Sequence, residues 1–415
     1  MLRVVTRHYC IVIISSLAVV RTCAPIARPI IMVRYITLLM FVFLLPISHG
    51  GELQQCKPGP WGRVEYETLF LEAPEWVVEH FPMPSTQPRW SFAGGTESSV
   101  RGLLLRAGLD EKTCDRWLND ARCRNEEGAF TIYPTVEDVT GLSVNARLTI
   151  YRELAKSPLN SFHHDPVFIP GSSVVEWLRG AKLPANTVEL IRHLTYLDGD
   201  ALLFSDYAVL LASARSEAEA RHLVKVTTRT RTLLANLRVQ EGDDLPALAH
   251  YWTAGYRRKD ILPMLESMAE KPAGGRLDLA HLLPPLPRKL IYTYPTPDLA
   301  VSGRTPNCHW TSLNFFNYTP QELFLDLRLA ASRVLDGYEK TKEPAAFGDL
   351  LLFLDAQGNA IHSCAFVADE LVFTKNGENA AVPWILAPLG DVKQTYIRQP
   401  GIKIEVYRRR WPASS

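Results

Sequence analysis

Cys308 stands at a predicted helix start, where a cysteine can act as a nucleophile. Pro306 and Asn307 precede it and are typical of a helix boundary, while Leu313 and Phe316 continue an apolar stripe at helical spacing. A thiol in the first turn of a helix lies beside unpaired backbone amides, which favour the thiolate. The segment therefore predicts a cysteine nucleophile, and its base must come from another part of the chain.

His362 is the candidate base, and an antiparallel meander is predicted to hold it. The apolar run Leu350–Leu354 predicts a buried strand, and Ala360–Val367 predicts a second strand that begins close to His362. A third run at Leu371–Thr374 returns antiparallel to the second. His362 is thus expected near a strand end, where its side chain faces the element that packs on the sheet.

Three motifs together resemble the NlpC-type papain-like peptidases of the bacterial cell envelope. They are Asn-Cys at a helix start, Gly-Asp-Leu before an apolar strand, and a strand that begins with His, and they span roughly residues 300–400. The resemblance implies an α+β domain in which a helix packs on an antiparallel sheet. It implies that Cys308 attacks a carbonyl carbon, that His362 takes and returns the proton, and that a backbone amide near the sulfur stabilises the oxyanion. Such a reaction uses neither a cofactor nor a metal ion.

The third member of the catalytic set is open between two residues. In the family a polar residue on the next strand orients the histidine, and counting forward without gaps places that position at Thr374. Asn376 is the better hydrogen-bond acceptor for an imidazole, but it requires a shift in the alignment. The cysteine's neighbours also depart from the family, which usually has Asp before it and Ser-Gly after it. This chain has Asn307 before the cysteine and His309-Trp310 after it.

The remaining cysteines raise two disulfide hypotheses. Cys364 follows His362 by two positions and therefore shares its strand face. It is either a small buried apolar side chain or the partner of Cys308 in a disulfide that locks the nucleophile. Cys114 and Cys123 lie close together in the sequence, and in an oxidising compartment they are placed to form a local disulfide.

Residues 1–50 have the parts of a secretory signal. Arg34 supplies a positive charge, Ile36–Ile47 an apolar core, and the Ser-His-Gly sequence at 48–50 a cleavage site. Met32 stands just ahead of these parts and is a candidate for the true start of translation. The alternative is an uncleaved anchoring helix, although neither apolar run near the N-terminus reaches the roughly 18–20 residues that cross a bilayer. We expect a secreted, periplasmic or cell-envelope protein without a transmembrane span after cleavage.

Composition excludes some classes of protein but does not identify one. The 415 residues include 45 Lys+Arg and 44 Asp+Glu, for a formal net charge of +1, and 47% are apolar. Without a basic excess the chain lacks the electrostatic footprint of most nucleic-acid binders, so no nucleic-acid partner is expected. Seven cysteines are too few for a disulfide framework in a chain of this length.

Shifts in composition divide the rest of the chain into regions. Residues 51–143 are rich in Pro and Trp and contain short predicted helices. Residues 144–271 carry apolar residues at helical spacing, most extensively in Glu217–Leu237, and are interpreted as a helical domain. A Pro-rich connector is predicted at 272–306, ahead of an NlpC-like hydrolase domain at 307–415. We therefore expect an α+β chain with a mostly helical N-terminal region and a papain-like C-terminal domain.

The resulting hypothesis is an exported cysteine hydrolase that cleaves peptide or amide bonds through a thioester at Cys308. A peptidoglycan-like cell-wall peptide is the first substrate guess, and it rests on the resemblance alone. Two alternatives stay open, namely a non-catalytic envelope scaffold or binding protein that keeps the fold, and a papain-like acyltransferase or deamidase. A Cys308 sulfur close to a His362 ring nitrogen in an open cleft favours an enzyme, whereas a buried or distant pair favours a scaffold.

The signal hypothesis predicts the N-terminus of the mature protein. Edman sequencing of the exported protein is expected to begin near Gly51, because the small residues at 48–50 form the cleavage site. Recovery of a chain that still begins at Met1 or Met32 would contradict cleavage.

Overall fold

The computed structural model describes residues 52–80, 83–255, 258–397 and 401–411. The predicted targeting segment, with its Met32 start, lies outside the described residues. The described residues belong to one compact unit.

Strands of the described residues pair in antiparallel fashion and form four sheets, with the orders β1-β2-β9-β10, β3-β5-β4, β6-β8-β7 and β11-β16-β12-β13-β14-β15. In chain order they are β1 (Gln54–Gln55), β2 (Arg63–Leu71), β3 (Trp90–Ala93), β4 (Cys123–Glu126), β5 (Ala129–Ile132), β6 (Val167–Phe168), β7 (Tyr196–Asp198), β8 (Ala201–Phe204), β9 (Thr230–Val239), β10 (Gly275–Asp278), β11 (Tyr338–Thr341), β12 (Leu350–Leu354), β13 (Ala360–Ala368), β14 (Leu371–Lys375), β15 (Trp384–Pro388) and β16 (Lys403–Arg409).

Helices cover the sheets, and most are short. In chain order they are α1 (Glu75–His80), α2 (Glu97–Arg106), α3 (Glu111–Trp117), α4 (Val136–Thr140), α5 (Val144–Leu154), α6 (Ser161–His164), α7 (Val174–Trp177), α8 (Ala185–Leu194), α9 (Tyr207–Ala212), α10 (Glu217–Thr227), α11 (Leu245–Thr253), α12 (Arg258–Ala269), α13 (Pro285–Leu290), α14 (Pro297–Val301), α15 (Cys308–Leu313), α16 (Leu327–Gly337) and α17 (Leu389–Tyr396). With antiparallel sheets and separate helices, the chain is α+β, as the sequence predicted.

The six-stranded C-terminal sheet is covered on both faces. Every residue of β12 is buried, as expected for an apolar run that has neighbours above and below it. On one face the apolar side chains of β13 and β14 join a cluster with Trp310 and Leu313 of α15. On the other face they join a cluster with Leu389 and Val392 of α17. Alternate residues of β13 and β14 therefore contact different helices.

The predicted helix at Glu217–Leu237 is wrong in its second half. Helix α10 ends at Thr227, and strand β9 begins at Thr230. Leucines at 233 and 237 fit a helical spacing, but together with Ala235 and Val239 they also fit the alternation of a strand. The segment is a strand because it pairs with β2 on one side and β10 on the other, and each partner forms hydrogen bonds with the backbone groups along one of its edges.

The N-terminal region is less helical than predicted. The segment 144–271 contains the strands β6 to β9 as well as its helices. The segment 51–143 contains the strands β1 to β5, which belong to two sheets. Large aromatic side chains of segment 144–271 are part of the core, and the buried ones include Tyr151, Trp177, Tyr196, Tyr207 and Trp252.

The Pro-rich segment 272–306 contributes to the protein's core. Leu279 and Leu283 are fully buried and belong to the same apolar cluster as Leu237 before the segment and Phe373 after it. The segment also forms β10, α13 and α14. A single core therefore runs across it, and it does not separate two cores.

In the described ranges, none of the helices combines the length and the apolar character needed to cross a membrane.

The position of β9 at the centre of its sheet predicts a strong dependence of stability on its apolar side chains. Leu237→Ala is expected to lower the free energy of unfolding by about 2–5 kcal/mol, because a fully buried leucine leaves a cavity. Leu335→Ala is the matched control, since that leucine is 75% exposed on α16 and its loss should change stability by less than about 0.5 kcal/mol. Urea unfolding measures both. Equal losses would contradict the central position of β9.

Candidate active site at the Cys308 helix

Cys308 is the first residue of α15, as the sequence predicted. Asn307 is the N-cap residue, and its side-chain oxygen accepts a hydrogen bond of 2.9 Å from the backbone N–H of Trp310. The hydroxyl of Thr311 donates to the Asn307 carbonyl at 2.7 Å. These bonds fix the start of the helix and hold the thiol, which is only 6% exposed, at its first position.

Opposing influences act on the Cys308 thiol. Burial raises its pKa, because an apolar environment disfavours the thiolate. Hydrogen bonding to the backbone N–H groups of Ser363 and His309, and the nearby charge of Lys375, lower the pKa in part. Since burial is the largest of these effects, the thiol form of Cys308 dominates at pH 7.

Ser363 of β13 faces α15 and is hydrogen-bonded to it. Its hydroxyl lies 2.9 Å from Nδ1 of His309 and 2.7 Å from the hydroxyl of Ser312. Ser312 in turn lies 3.0 Å from the carbonyl oxygen of Cys308, to which it donates. This polar contact between strand and helix was not predicted. The sequence did contain a signal for it: Ser363 directly follows His362, and successive residues of a strand lie on opposite faces.

His362 lies on the face of β13 that contacts α17. It is the partner of Phe353 across the β12–β13 pair, and its ring stacks on Tyr396 with centroids 3.9 Å apart and planes 15° apart. The side chain is fully buried. Burial holds its pKa well below the usual range, so the ring is neutral near pH 7.

The structure brings His362, Thr374 and Asn376 together. Nε2 of His362 lies 3.2 Å from the Thr374 hydroxyl, which donates to the side-chain oxygen of Asn376 at 3.3 Å. The Thr374 hydroxyl has a single proton, which it donates to Asn376. It therefore accepts a hydrogen bond from His362, so Nε2 of His362 carries the ring proton and Nδ1 carries the lone pair. Both candidates for the third position therefore belong to one hydrogen-bonded chain.

Nδ1 of His362 is buried without a hydrogen-bond partner among the described residues. The Cys308 sulfur and the His362 ring are consequently not hydrogen-bonded in this structure. Their sheet faces differ, because Ser363, and not His362, occupies the position of β13 that faces α15. The structure thus places the two predicted catalytic residues near one strand but does not join them.

Neither predicted disulfide is formed. Cys308 and Cys364 are free thiols, and Cys364 is fully buried in the apolar cluster beneath α17. Burial raises its pKa, as expected for a small apolar side chain. Cys114 and Cys123 are also free, and the Cys123 thiol donates to the backbone carbonyl of Leu118 at 3.4 Å.

Lys375 is a buried cation that sequence reasoning missed. It is the last residue of β14, is fully buried, and pairs with Trp384 across the β14–β15 ladder. Its ammonium donates to the carbonyl oxygens of Gly377 at 2.8 Å and Asn379 at 2.9 Å. The signal in the sequence was a lysine that continues the alternate positions of an apolar strand, where a charge is unexpected.

A groove of about 380 Å³ lies beside α15. Pro306 and Trp310, which flank Cys308 in the sequence, form part of its wall, together with Tyr318, Trp384 and Lys289. Trp384 links the groove to the helix, since its indole N–H donates to the Thr311 hydroxyl at 3.0 Å. In the described ranges, His, Cys, Asp and Glu side chains form no group of three or more that could hold a metal ion.

Comparisons with protein-family models, with curated proteins and with solved structures found no significant match to this chain.

Burial of His362 predicts a loss of stability in acid. The unfolded chain takes up a proton below about pH 6.5, whereas the folded ring, with its lowered pKa, does not, so stability falls as the pH falls below that value. His362→Gln should remove about 1.4 kcal/mol of the stability difference between pH 7.5 and pH 5.5, measured by urea unfolding. His281→Gln is the control, because that histidine is exposed. Identical pH dependence in wild type and H362Q would contradict a neutral buried ring.

Proposed function

We propose that this chain is an exported cysteine hydrolase that cleaves peptide or amide bonds through a thioester at Cys308. The observation that carries the proposal is the hydrogen-bonded chain from Asn376 through Thr374 to Nε2 of His362. This chain leaves Nδ1 of His362 as an unpaired base. The next residue on the strand is Ser363, whose backbone N–H is hydrogen-bonded to the Cys308 sulfur. The resemblance of the motifs to NlpC-type papain-like peptidases supports the same assignment of roles.

In the proposed reaction, the Cys308 sulfur attacks the substrate carbonyl carbon while its proton passes to Nδ1 of His362. The backbone N–H groups of Ser363 and His309 stabilise the negative charge that develops on the carbonyl oxygen. The imidazolium returns the proton to the leaving amine, which departs and leaves an acyl thioester. A water molecule, deprotonated by His362, then releases the acid and restores the thiol.

This reaction requires the site to open. Cys308 and His362 are buried, and the His362 ring contacts both Phe353 and Tyr396. For Nδ1 to reach the sulfur, the ring must leave its stack on Tyr396 and its hydrogen bond with Thr374, and turn toward α15. The arrangement described is therefore proposed to be a closed, resting form, which substrate binding opens.

The groove beside α15 is the proposed binding place for the substrate. Aromatic and proline side chains line it, and a lysine and a glutamate, Lys289 and Glu322, stand at its wall. Grooves lined by aromatic side chains bind extended peptides, because the flat rings pack on the backbone and on apolar side chains. An extended peptide is thus the proposed substrate class, with a peptidoglycan-like cell-wall peptide as the first to test.

A non-catalytic envelope scaffold is the second candidate. The complete burial of His362, and the absence of a hydrogen bond between its ring and the Cys308 sulfur, favour it. In a scaffold, the stack of His362 on Tyr396 is a permanent part of the core.

Labelling with a thiol-directed activity probe separates the two candidates. A peptidyl acyloxymethyl ketone should label the full-length protein, and Cys308→Ala should abolish the labelling, because the probe alkylates the activated sulfur. Cys56→Ala is the matched control, since Cys56 is a partly exposed free thiol outside the site. Release of peptide from purified peptidoglycan should be lost in the Cys308→Ala variant and kept in the Cys56→Ala variant.

His362→Ala should also reduce the rate of labelling by about 10²-fold or more, since the base is removed. Circular dichroism shows whether each variant is folded. Equal labelling of wild type and C308A would remove Cys308 from the mechanism and leave the scaffold.

A further inference from the structure

The position of Lys375 in β14 points to a partner for Cys308 other than His362. We propose that Lys375 is the counter-ion of the Cys308 thiolate, and that it sets the reactivity of this sulfur through its charge. This inference rests on the proposed function insofar as it concerns Cys308 as a nucleophile. The ion pair itself does not require that a substrate is turned over.

The sheet places Lys375 beneath α15. Leu371 and Phe373, at alternate positions of β14, belong to the apolar cluster that contains Trp310 of α15. Lys375 is the next residue in this alternation, so it shares their face. The Lys375 ammonium lies 5.9 Å from the ring of its cross-strand partner Trp384.

Trp384 connects this strand face to the helix that carries the thiol. Its indole N–H donates to the hydroxyl of Thr311, three positions after Cys308. Thr374, in contrast, turns to the other face and contacts His362. The lysine, and not the histidine, is therefore the basic residue that shares the α15 face of the sheet.

A buried ammonium ion needs an anion. Lys375 is fully buried, and its two hydrogen bonds go to carbonyl oxygens, which solvate the charge but do not neutralise it. Among the described residues it forms no ion pair within 4.0 Å. Buried charges are costly unless they are paired, so a nearby group that becomes an anion gains from this cation. Cys308 is such a group.

The other titratable groups around the pair do not supply this charge. His309 of α15 has its pKa lowered by burial, so it is neutral at pH 7. Cys364 and His362 come from the far face of β13, and Glu378, from the segment after β14, has an acidic side chain. Lys375 therefore supplies the positive charge in this set.

The titration of the two groups supports the pairing. Burial lowers the pKa of Lys375 to about 8, while the charges of Cys308 and Glu378 act to raise it. Reciprocally, Lys375 lowers the pKa of Cys308 against the effect of burial. The charge of Lys375 thus favours the Cys308 thiolate whenever the lysine is protonated.

The pH dependence of Cys308 alkylation tests the pairing. The full-length protein is treated with iodoacetamide between pH 6 and 10, and modification of the peptide that contains Cys308 is followed by mass spectrometry. Lys375→Met should raise the midpoint of the rate by about one pH unit and slow the reaction at pH 8 by about tenfold, because the thiolate loses its counter-ion. Lys375→Arg keeps the charge and should stay close to wild type.

Lys340→Met is the matched control, since Lys340 is an exposed residue of β11, and its profile should equal that of wild type. Thermal unfolding followed by circular dichroism verifies the fold of each variant. If K375M does not fold, Lys375→Gln replaces it in the comparison with K375R. Equal midpoints in the charged and uncharged variants, or a wild-type rate that does not change with pH, would overturn the proposal.

The outcomes for Lys375 and for the proposed hydrolase are separable. A shifted alkylation profile without any peptide release would support the ion pair and leave the hydrolase in doubt. Peptide release that depends on Cys308 but is unaffected, at every pH, by loss of the lysine charge would support the hydrolase and overturn the role of Lys375.

Discussion

The alternation of side chains across β13 and β14 is the constraint on which the candidate site depends. Both strands lie between α15 and α17, so neither face is open to water, and each successive residue contacts a different helix. Ser363 and Lys375 thereby belong to the face that contacts α15, the helix of Cys308. His362 and Thr374 belong to the side of α17. A shift of one residue in register would exchange these sets.

Because both faces are covered, each polar group in these strands needs a partner inside the protein. Most have one, such as Ser363 with His309 and Thr374 with Asn376. Nδ1 of His362 departs from this rule, because it has no hydrogen-bond partner among the described residues. The ammonium of Lys375 is hydrogen-bonded, but only to carbonyl oxygens, which do not neutralise its charge. Unsatisfied buried polar groups are costly, and in native proteins they are often found where chemistry takes place. Both residues lie on strands that contact α15, the helix of Cys308.

The two proposed functions, an enzyme and a scaffold, assign different roles to the stacking of Tyr396 on His362. For an enzyme, it is a contact that must break before Nδ1 can approach the sulfur, and α17 then acts as a cover over the base. For a scaffold, it is an ordinary aromatic contact of the core. In the proposed enzyme, the groove beside α15, with Trp310 and Trp384 in its wall, is the proposed place for a peptide.

Local sequence determined the helix start at Cys308, the buried run of β12, the meander that follows it and the α+β class, because capping residues and periodicity act over a few neighbouring residues. It did not determine that the second half of Glu217–Leu237 is a strand, since leucine spacing fits both structures and only pairing with β2 and β10 decides. Nor did it determine which face His362 takes. That choice depends on the register of β13 against β12 and on the helix that covers each face. Both are long-range contacts that no local pattern encodes.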